Sequence, residues 1–550
     1  MRTKKLLTMN TIKKETNETK LTKVTKQTNE TKVTNETDDV EILEGRDENV
    51  SMNIKQLNIL PYQVEHFKNV CDILRNELGY MDISLPGSGK TLIVLAIAIT
   101  YKMSILLFCP KSVIPKWKRE ARMYGVNLVC AMTYNSLRGT AKTGVKSHPY
   151  LTRNGGKFTT TEAFIELAKK GLLICYDESH NLKNENDQLA AAAALSRSAS
   201  NLAKTGVNVR IAALSGTPAD KKENINCLFK ILGIVTAENL FSYNRRNKTY
   251  NLEGLDEAIK KCKKYDPDTT YHILCKPVNK TTSKQICYDL YIKVLRNRMT
   301  SAMSAPPIDY KLDIKNLFVV LPEKDLERLR NASNLFCNAT NYDKTLGEVK
   351  YSGMDWGMIT QCRREIDSAK APTICRWAEN DLKTSNCKVV IYYTYKRDMY
   401  VSAELLKKYN PLIVNGDSNA INREEAIRKF QESNNDCRVF ISNSKCGGVG
   451  IELDDLDGNF NRITYIAPSY HFLDQVQSCR RTYRLNTKSD CVVRFVYSLE
   501  ISNEMNILNS MIQKSCVCRD LIKNDQNVVF PGELEAIYEK ESYDSEGSED

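Results

Sequence analysis

Residues Met81-Asp82-Ile83-Ser84-Leu85-Pro86-Gly87-Ser88-Gly89-Lys90-Thr91 decide the fold. An extended, apolar-leaning lead-in runs into a Gly-rich turn, and Leu92-Ile93-Val94-Leu95-Ala96-Ile97-Ala98-Ile99 follows at once. The pattern reads as strand, turn, buried helix. Gly87 and Gly89 allow backbone N–H groups to ring a phosphate, with Pro86 and Ser88 completing the turn, and the helix N-terminus adds its partial positive charge. Lys90 then reaches the β- and γ-phosphates, and the Thr91 hydroxyl is placed to ligate Mg²⁺. The strict phosphate-loop pattern has Gly five residues before Gly89, where this chain has Ser84.

Outward from that turn, the second half of a nucleotide site lies near residue 177. Gly171-Leu172-Leu173-Ile174-Cys175-Tyr176 is a buried strand that ends in Asp177-Glu178-Ser179-His180. Asp177 would hold the Mg²⁺ shell, and Glu178 would orient or deprotonate the attacking water. Val209–Leu214 forms another strand, leading into Ser215-Gly216-Thr217-Pro218, a hydroxyl-rich turn able to bond the His180 loop and report nucleotide state. Upstream, Leu60-Pro61-Tyr62-Gln63 opens an amphipathic helix carrying Val64, Phe67, Val70, Ile73 and Leu74. A ring followed by a carboxamide suits adenine, with Tyr62 to stack and Gln63 to bond the base edge; a polar helix start with a core Tyr gives the same pattern.

Ser104–Cys109 is a short buried strand ending at Pro110-Lys111-Ser112, and Leu128–Met132 is another, ending at Thr133. Lys111, Lys116, Lys118 and Arg119 beside these ends suit a phosphate backbone or are solvated surface cations. Residues 139–160 read as a surface loop and 235–385 as helix-rich. A second α/β series begins at Lys388, with strands at Leu412–Val414, Arg438–Ser442, Arg462–Ile466 and Cys491–Tyr497, so strands alternate with helices as in a doubly wound parallel sheet. This half has no phosphate loop. It offers Gly447-Gly448-Val449-Gly450 and Gln477-x-x-x-Arg481-x-x-Arg484, with the arginines at i and i+3 on one helix face.

Composition sets the class. The 550 residues carry a formal net charge of +12, but residues 533–550 hold eight carboxylates against a single cation, Lys540. The run is therefore −7 and the remaining chain +19, the footprint of a polyanion binder. Eighteen cysteines are spread without a Cys-x-x-Cys pair, which argues against zinc and for reduced intracellular thiols. With neither an 18-residue apolar run nor a signal-peptide core behind Met1, the chain reads as soluble and intracellular, with no membrane partner. Residues 1–50 repeat Thr-Asn-Glu-Thr three times amid few large apolar residues and are expected to be disordered.

Taken in order, these motifs resemble superfamily 2 helicases, specifically the Swi/Snf-like branch with a DEAH-type box. The residues that carry the resemblance are Tyr62-Gln63, Gly87 to Thr91, Pro110 through Trp117 and Glu120, Asp177 to His180 with Leu182-Lys183-Asn184, Leu214 to Pro218, Gly447-Gly448-x-Gly450, and Gln477 with Arg481 and Arg484. The compact arrangement and Lys/Asn-rich sequence also look like helicase-like ATPases of large DNA viruses.

The resemblance implies two RecA-like lobes with ATP and Mg²⁺ between them and nucleic acid, DNA before RNA, across both. It assigns Gln477, Arg481 and Arg484 to catalysis, Gly450 to the nucleotide, His180, Ser215 and Thr217 to coupling, and Pro110, Lys111, Ser112, Thr133 and Thr394 to the nucleic-acid track. Two departures stand out: Ser84-Leu85-Pro86 replaces an acidic, Met-containing lead-in, and Glu452 and Asp454 stand where Asn and Thr are usual. The expected organisation is a disordered segment (1–50), a nucleotide-binding lobe (51–235), a helical connecting and protruding region (236–385), a second lobe (386–515), and an extension (516–550) whose acidic tail offers itself to a protein partner. A duplex translocase that never separates strands and an inactive nucleic-acid-binding scaffold are the competing readings.

Overall fold

The computed structural model describes residues 57, 59–142, 144–244, 249–275, 279–304, 308–321, 323–343, 348–351, 356–447, 451–498, 500–522 and 536–538. The segment 1–50 expected to be disordered, and the acidic run apart from 536–538, lie outside them. The phosphate-loop strand is β1 (Gly79–Asp82), and it pairs within a six-stranded sheet. The other members are β2 (Ser104–Phe108), β3 (Leu128–Met132), β4 (Leu172–Asp177), β5 (Val209–Leu214) and β6 (Thr300–Ser301). Their order is β6-β1-β5-β4-β2-β3, and every pair is parallel.

Alternation along the strands explains why both faces are covered. Ile105, Leu107, Leu173 and Cys175 face one apolar cluster, shared with helices α1 (Pro61–Asn76), α2 (Lys90–Thr100) and α3 (Ile114–Met123). Leu106, Phe108, Ile174 and Tyr176 face the other, against α4 (Asp187–Lys204). Successive side chains of a strand point to opposite faces, so a sheet covered on both sides reads as a continuous apolar run.

The second sheet has seven strands: β7 (Leu312–Val319), β8 (Cys387–Tyr393), β9 (Leu412–Val414), β10 (Val439–Asn443), β11 (Asn461–Ile466), β12 (Cys491–Ser498) and β13 (Ala536–Tyr538). The order is β9-β10-β8-β11-β12-β7-β13, again parallel throughout. Both sheets fall in one compact unit, and one apolar cluster runs continuously from Leu106 and Tyr176 of the first to Val390 and Tyr392 of the second. The protein is therefore α/β with two doubly wound parallel-sheet lobes.

Three sequence expectations need correction. The span 236–385, read as helical, is helical in large part but gives β6 to the first sheet and β7 to the second. β6 is only two residues long, and Asp313, Lys315 and Asn316 interrupt the apolar signal of β7. The extension beyond 516 supplies β13 against β7, and α7 (Ser502–Leu521) runs across the expected boundary; between α5 (Trp356–Thr384) and α7 the chain also forms α6 (Phe472–Cys479). The surface loop at 139–160 contains a hairpin, Leu151–Asn154 with Lys157–Thr160, turning at Gly155-Gly156. Leu151 and Phe158 are buried on one side of it, and a Gly-Gly pair between two short strands is a hairpin signal. Among the described residues, no helix is long and apolar enough to cross a membrane.

A buried charge cluster pins the second lobe together. Arg363 of α5 bonds Glu504 Oε1 of α7 at 2.7 Å, Asp367 Oδ1 at 2.7 Å and the Pro468 carbonyl at 2.6 Å. Lys370 Nζ lies 2.5 Å from Glu504 Oε2. Removing one member leaves the others buried and unmatched, so Glu504→Ala should destabilise this lobe by about 3–5 kcal/mol. Denaturant unfolding followed by circular dichroism checks this, and a loss of less than about 1 kcal/mol, the value of an exposed pair, would contradict it.

Candidate functional site

The loops that carry the predicted residues all leave the C-terminal ends of parallel strands, where open α/β sheets build their ligand crevices. Ser84 to Gly89 joins β1 to α2, and Gly89 is the N-cap of α2. Two glycines are required here on separate grounds. Gly87 sits at φ +85°, and a Cβ on it would fall 2.8 Å from Arg484 Nη1. Gly89 sits at φ +93°, and a Cβ there would overlap Gln63 Nε2. Both turns need left-handed backbone and close approach at once.

Lys90, the first residue of α2, donates from Nζ to the carbonyls of Ser84 at 2.8 Å and Leu85 at 3.0 Å. Thr91 follows it in the first turn, partly buried. Ser88 Oγ donates to Leu85 O at 2.8 Å. The Ser88 carbonyl accepts from Tyr62 Oη at 3.0 Å and from Gln63 Nε2 at 2.8 Å, while Gln63 Oε1 accepts from Leu60 N. Tyr62 and Gln63 thus hold the turn itself; the second Gln63 N–H points to Tyr62 Oη at 3.5 Å, and the amide oxygen keeps one lone pair for a further partner.

At the end of β4, Asp177 is anchored from three sides. Trp117 Nε1 of α3 donates to Oδ2 at 2.8 Å, Glu178 N to Oδ1 at 3.0 Å, and Tyr134 Oη to the Asp177 carbonyl at 2.7 Å. Burial, and then the Glu178 carboxylate, push the Asp177 carboxyl up to about 6, against the pull of Trp117 and Lys90. Glu178 takes left-handed backbone at φ +52°. The role of Trp117 is one the motif reading missed, although an indole N–H only donates and a buried one must find an acceptor.

His180 is the junction. Its Nδ1 lies 3.0 Å from Ser215 Oγ, beyond β5, and 3.3 Å from Glu178 Oε2; its Nε2 lies 3.4 Å from Gln477 Nε2 of α6. Gln477 Nε2 also donates to Glu178 Oε2 at 3.4 Å. The amide nitrogen can only donate, so as oriented the imidazole accepts at Nε2 and carries its proton at Nδ1. Burial, then Lys183, lowers the imidazole to about 4, keeping it neutral. Ser215 Oγ accepts from Thr217 N at 3.2 Å, and the Thr217 hydroxyl is buried without a hydrogen-bond partner.

Arg481 and Arg484 lie differently from the expected helix face. α6 stops at Cys479, where Arg480 N and Arg481 N turn to the carbonyls three residues back, Gln477 and Ser478, at 3.2 Å each; the Arg481 carbonyl accepts from Leu453 N at 2.9 Å. Beyond that end both guanidiniums turn onto one acceptor: Arg481 Nη1 is 3.2 Å and Arg484 Nη2 3.4 Å from Ile451 O. Burial, then Arg484, brings Arg481 down to about 10. At the site the second lobe thus reaches the first through Gln477, on Glu178 and His180, and through Arg484, beside Gly87. Gly450 and its neighbours Gly448 and Val449 lie outside the described residues. Asp454, one of the two departures, is buried and accepts from Gln431 Nε2 at 3.3 Å inside the second lobe.

Pro110, Lys111 and Ser112 follow β2, with Lys111 and Ser112 exposed, and Thr133 follows β3. Thr133 Oγ1 caps the next helix by accepting from Ser136 N at 3.1 Å. Thr394 follows β8, so these five also occupy the C-terminal edges of the two sheets.

Residues 370–486 match the helicase conserved C-terminal domain. The chain is 24% identical over 479 residues to a protein of Acanthamoeba polyphaga mimivirus named "Putative ATP-dependent RNA helicase L364", covering 84% of this chain and 83% of that one. It is 24% identical over 490 residues to the DNA repair protein rhp54 of Schizosaccharomyces pombe, covering 79% of this chain and 55% of that one. Among solved structures it is similar to the Sulfolobus solfataricus SWI2/SNF2 ATPase core domain at 15% identity and a TM-score of 0.28, covering 85% and 91% of the two chains. The ordered motifs, the matched helicase domain and these relatives support a superfamily 2 helicase similar to the Swi/Snf-like type, an ATP-hydrolysing enzyme that acts on nucleic acid.

Proposed function

We propose that this helicase hydrolyses ATP in the cleft between its two sheets and uses the closing and opening of that cleft to step along a nucleic-acid backbone. The observation that carries the reading is the approach of Arg484, from the second lobe, to Gly87 of the turn that leads into Lys90, while Gln477 bridges to Glu178 and His180. The turn from Pro86 to Lys90 cradles the phosphates, Tyr62 and Gln63 meet the adenine, and Gly450 stands on the second-lobe side of the nucleotide. Glu178 orients the attacking water, and Arg481 and Arg484 act as arginine fingers on the γ-phosphate. His180, Ser215, Thr217 and Gln477 report the nucleotide state across the lobes.

Asp177 and Thr91 supply hard oxygen ligands, and each Asp177 oxygen keeps a lone pair after its hydrogen bond, so the pair suits Mg²⁺. When bound, that ion would neutralise charge developing on the phosphates. Pro110, Lys111, Ser112, Thr133 and Thr394 form the track. The excess of positive charge and the similarity to a DNA repair protein support DNA, the mimivirus relative supports RNA and a viral setting, and the acidic run 533–550 has the charge to dock a basic protein. ATPase rates with no polymer, single-stranded DNA, duplex DNA and RNA, beside a strand-displacement assay, separate these substrates and separate unwinding from translocation alone.

Lys90→Ala should abolish polymer-stimulated turnover, and Arg484→Lys should reduce it by about 10³-fold or more, since an ammonium lacks the planar fork of a finger arginine. Near-normal turnover in either variant would overturn the composite site. Binding to the preferred polymer should fall by about 10³–10⁵ between 50 and 200 mM salt if roughly six to ten phosphates are neutralised. A flat response in a fluorescence-anisotropy titration would remove the backbone track. His180 adds a pH dependence, because its imidazole sits at about 4 when folded against an ordinary 6.5. Between these values the unfolded chain binds a proton that the folded chain refuses, so stability falls as pH drops from about 6.5 toward 4. His180→Asn should flatten that slope in denaturant titrations at pH values of about 6.5 and 5. An unchanged slope would show that the ring is not held neutral.

A further inference from the structure

Asp82, the last residue of β1, is wholly buried two positions before Ser84. Its Oδ2 lies 3.0 Å from His66 Nε2, and its Oδ1 accepts from Ser84 N at 2.9 Å. His66 is buried too, on α1, about one turn after Gln63. Its Nδ1 lies 2.9 Å from Ser301 Oγ at the end of β6. A buried carboxylate is costly unless its lone pairs meet donors, and here an imidazole N–H and a backbone N–H meet them. Burial alone would raise the Asp82 carboxyl, but His66 and Lys90 outweigh it and hold it below the ordinary range. Neither residue has a part in the nucleotide chemistry described above.

Their neighbours give the pair its meaning. Ile83 N donates to Ser301 O at 3.0 Å, Met303 N to Ser84 Oγ at 2.9 Å, and Ser304 Oγ to Tyr62 O at 3.4 Å. Residues 300–304 are the last described part of the chain on the first lobe before it crosses toward β7. On the far side of that crossing, the Tyr310 carbonyl accepts from Tyr483 Oη at 2.8 Å, and Tyr483 stands between Arg481 and Arg484. The described residues on the two sides of the crossing are therefore tied, 301–304 to the phosphate-loop lead-in and Tyr310 to the arginine stretch. Lys90 in turn rests on the carbonyls of Ser84 and Leu85, and Ser84 is fixed through its N by Asp82 and through its Oγ by Met303.

We propose that His66 and Asp82 are positioning residues that lock the phosphate-loop lead-in, through Ser84 and Ser301, to the segment crossing between the lobes, so that lobe movement reaches Lys90. The proposal rests on the phosphate-loop reading of residues 84–91. It also accounts for Ser84-Leu85-Pro86: the carboxylate missing from that lead-in stands two residues earlier, turned inward, where it caps Ser84.

The test uses full-length protein and reads KM for ATP against kcat, with polymer affinity and thermal unfolding measured in parallel. His66→Ala and Asp82→Asn should each raise KM for ATP about tenfold, the loss of roughly one buried hydrogen bond, with polymer affinity within about twofold. The double variant Asp82→Asn/His66→Ala should cost less than the sum of the singles, because the bond the two residues share is lost only once. Ser301→Ala cuts only the link to the crossing segment and should lower stimulation of the ATPase by polymer about threefold. KM within about twofold of the parent in both singles, or strict additivity in the double variant, would overturn the proposal. Should either single fail to fold, the double variant and Ser301→Ala decide it. Lys90→Ala run beside them separates the two levels: if it too keeps turnover, the phosphate-loop reading has failed, and otherwise only the positioning role has.

Discussion

The nucleotide site depends on one close approach, the Arg484 guanidinium lying where any side chain on Gly87 would have to be. It brings a glycine in left-handed backbone on the first lobe against a long cationic side chain on the second. The energetic setting sharpens the point. Arg481 and Arg484 share the Ile451 carbonyl as acceptor, so two like charges are held side by side with one backbone oxygen between them. Burial and that neighbour depress Arg481 to about 10, which measures how poorly its charge is solvated. A wall of this kind gains most from an anion with several oxygens, because planar forks match phosphate geometry and little solvent screens them.

On the opposite bank, which carries Lys90, the histidine stays polar without adding a further positive charge. His180 contacts Ser215, Glu178 and Gln477, yet stays neutral because burial and Lys183 both work against its protonation. A protonated ring there would hold Glu178 in an ion pair and offer Gln477 a donor where it needs an acceptor. The neutral ring leaves the Glu178 carboxylate free to bond through other contacts and lets one amide read two first-lobe side chains. Asp177 is treated oppositely: Trp117, Glu178 N and Lys90 all favour its ionised form, while burial and the Glu178 charge resist it. The two adjacent carboxylates are thus placed in different environments, one fixed from three sides and one facing the second lobe.

Much of this was legible in the sequence because the strands of a sheet covered on both faces are unbroken apolar runs. Leu172–Tyr176 and Val209–Leu214 stop where a polar motif begins, so each motif was located together with its strand. What escaped had weaker local signals. Thr300–Ser301 is too short to show any period, and β7 carries Asp313, Lys315 and Asn316 in a strand whose burial comes from neighbours far away in the chain. The arginines were assigned to a helix face because spacing alone cannot show that α6 stops at Cys479. His66 looked like one more polar position on an amphipathic helix; only the fold brings it to Asp82 and Ser301.

The hidden elements share a consequence. β6 and β7 are the described elements on the two sides of the chain's passage from the first sheet to the second, and β6 lies directly beside β1. The strand that ends in the phosphate loop therefore has the exit from its own lobe as its edge neighbour. A connection attached elsewhere on the sheet would let the second lobe rotate with little effect on residues 82–90. In the proposed coupling, the bonds of Ser301, Met303 and Ser84 hold one side of the connection at the phosphate loop, and the bond of Tyr483 to Tyr310 holds the other side at the arginine stretch. Both anchorages then lie at the nucleotide site, so a displacement of one lobe would bear first on the residues that carry Lys90.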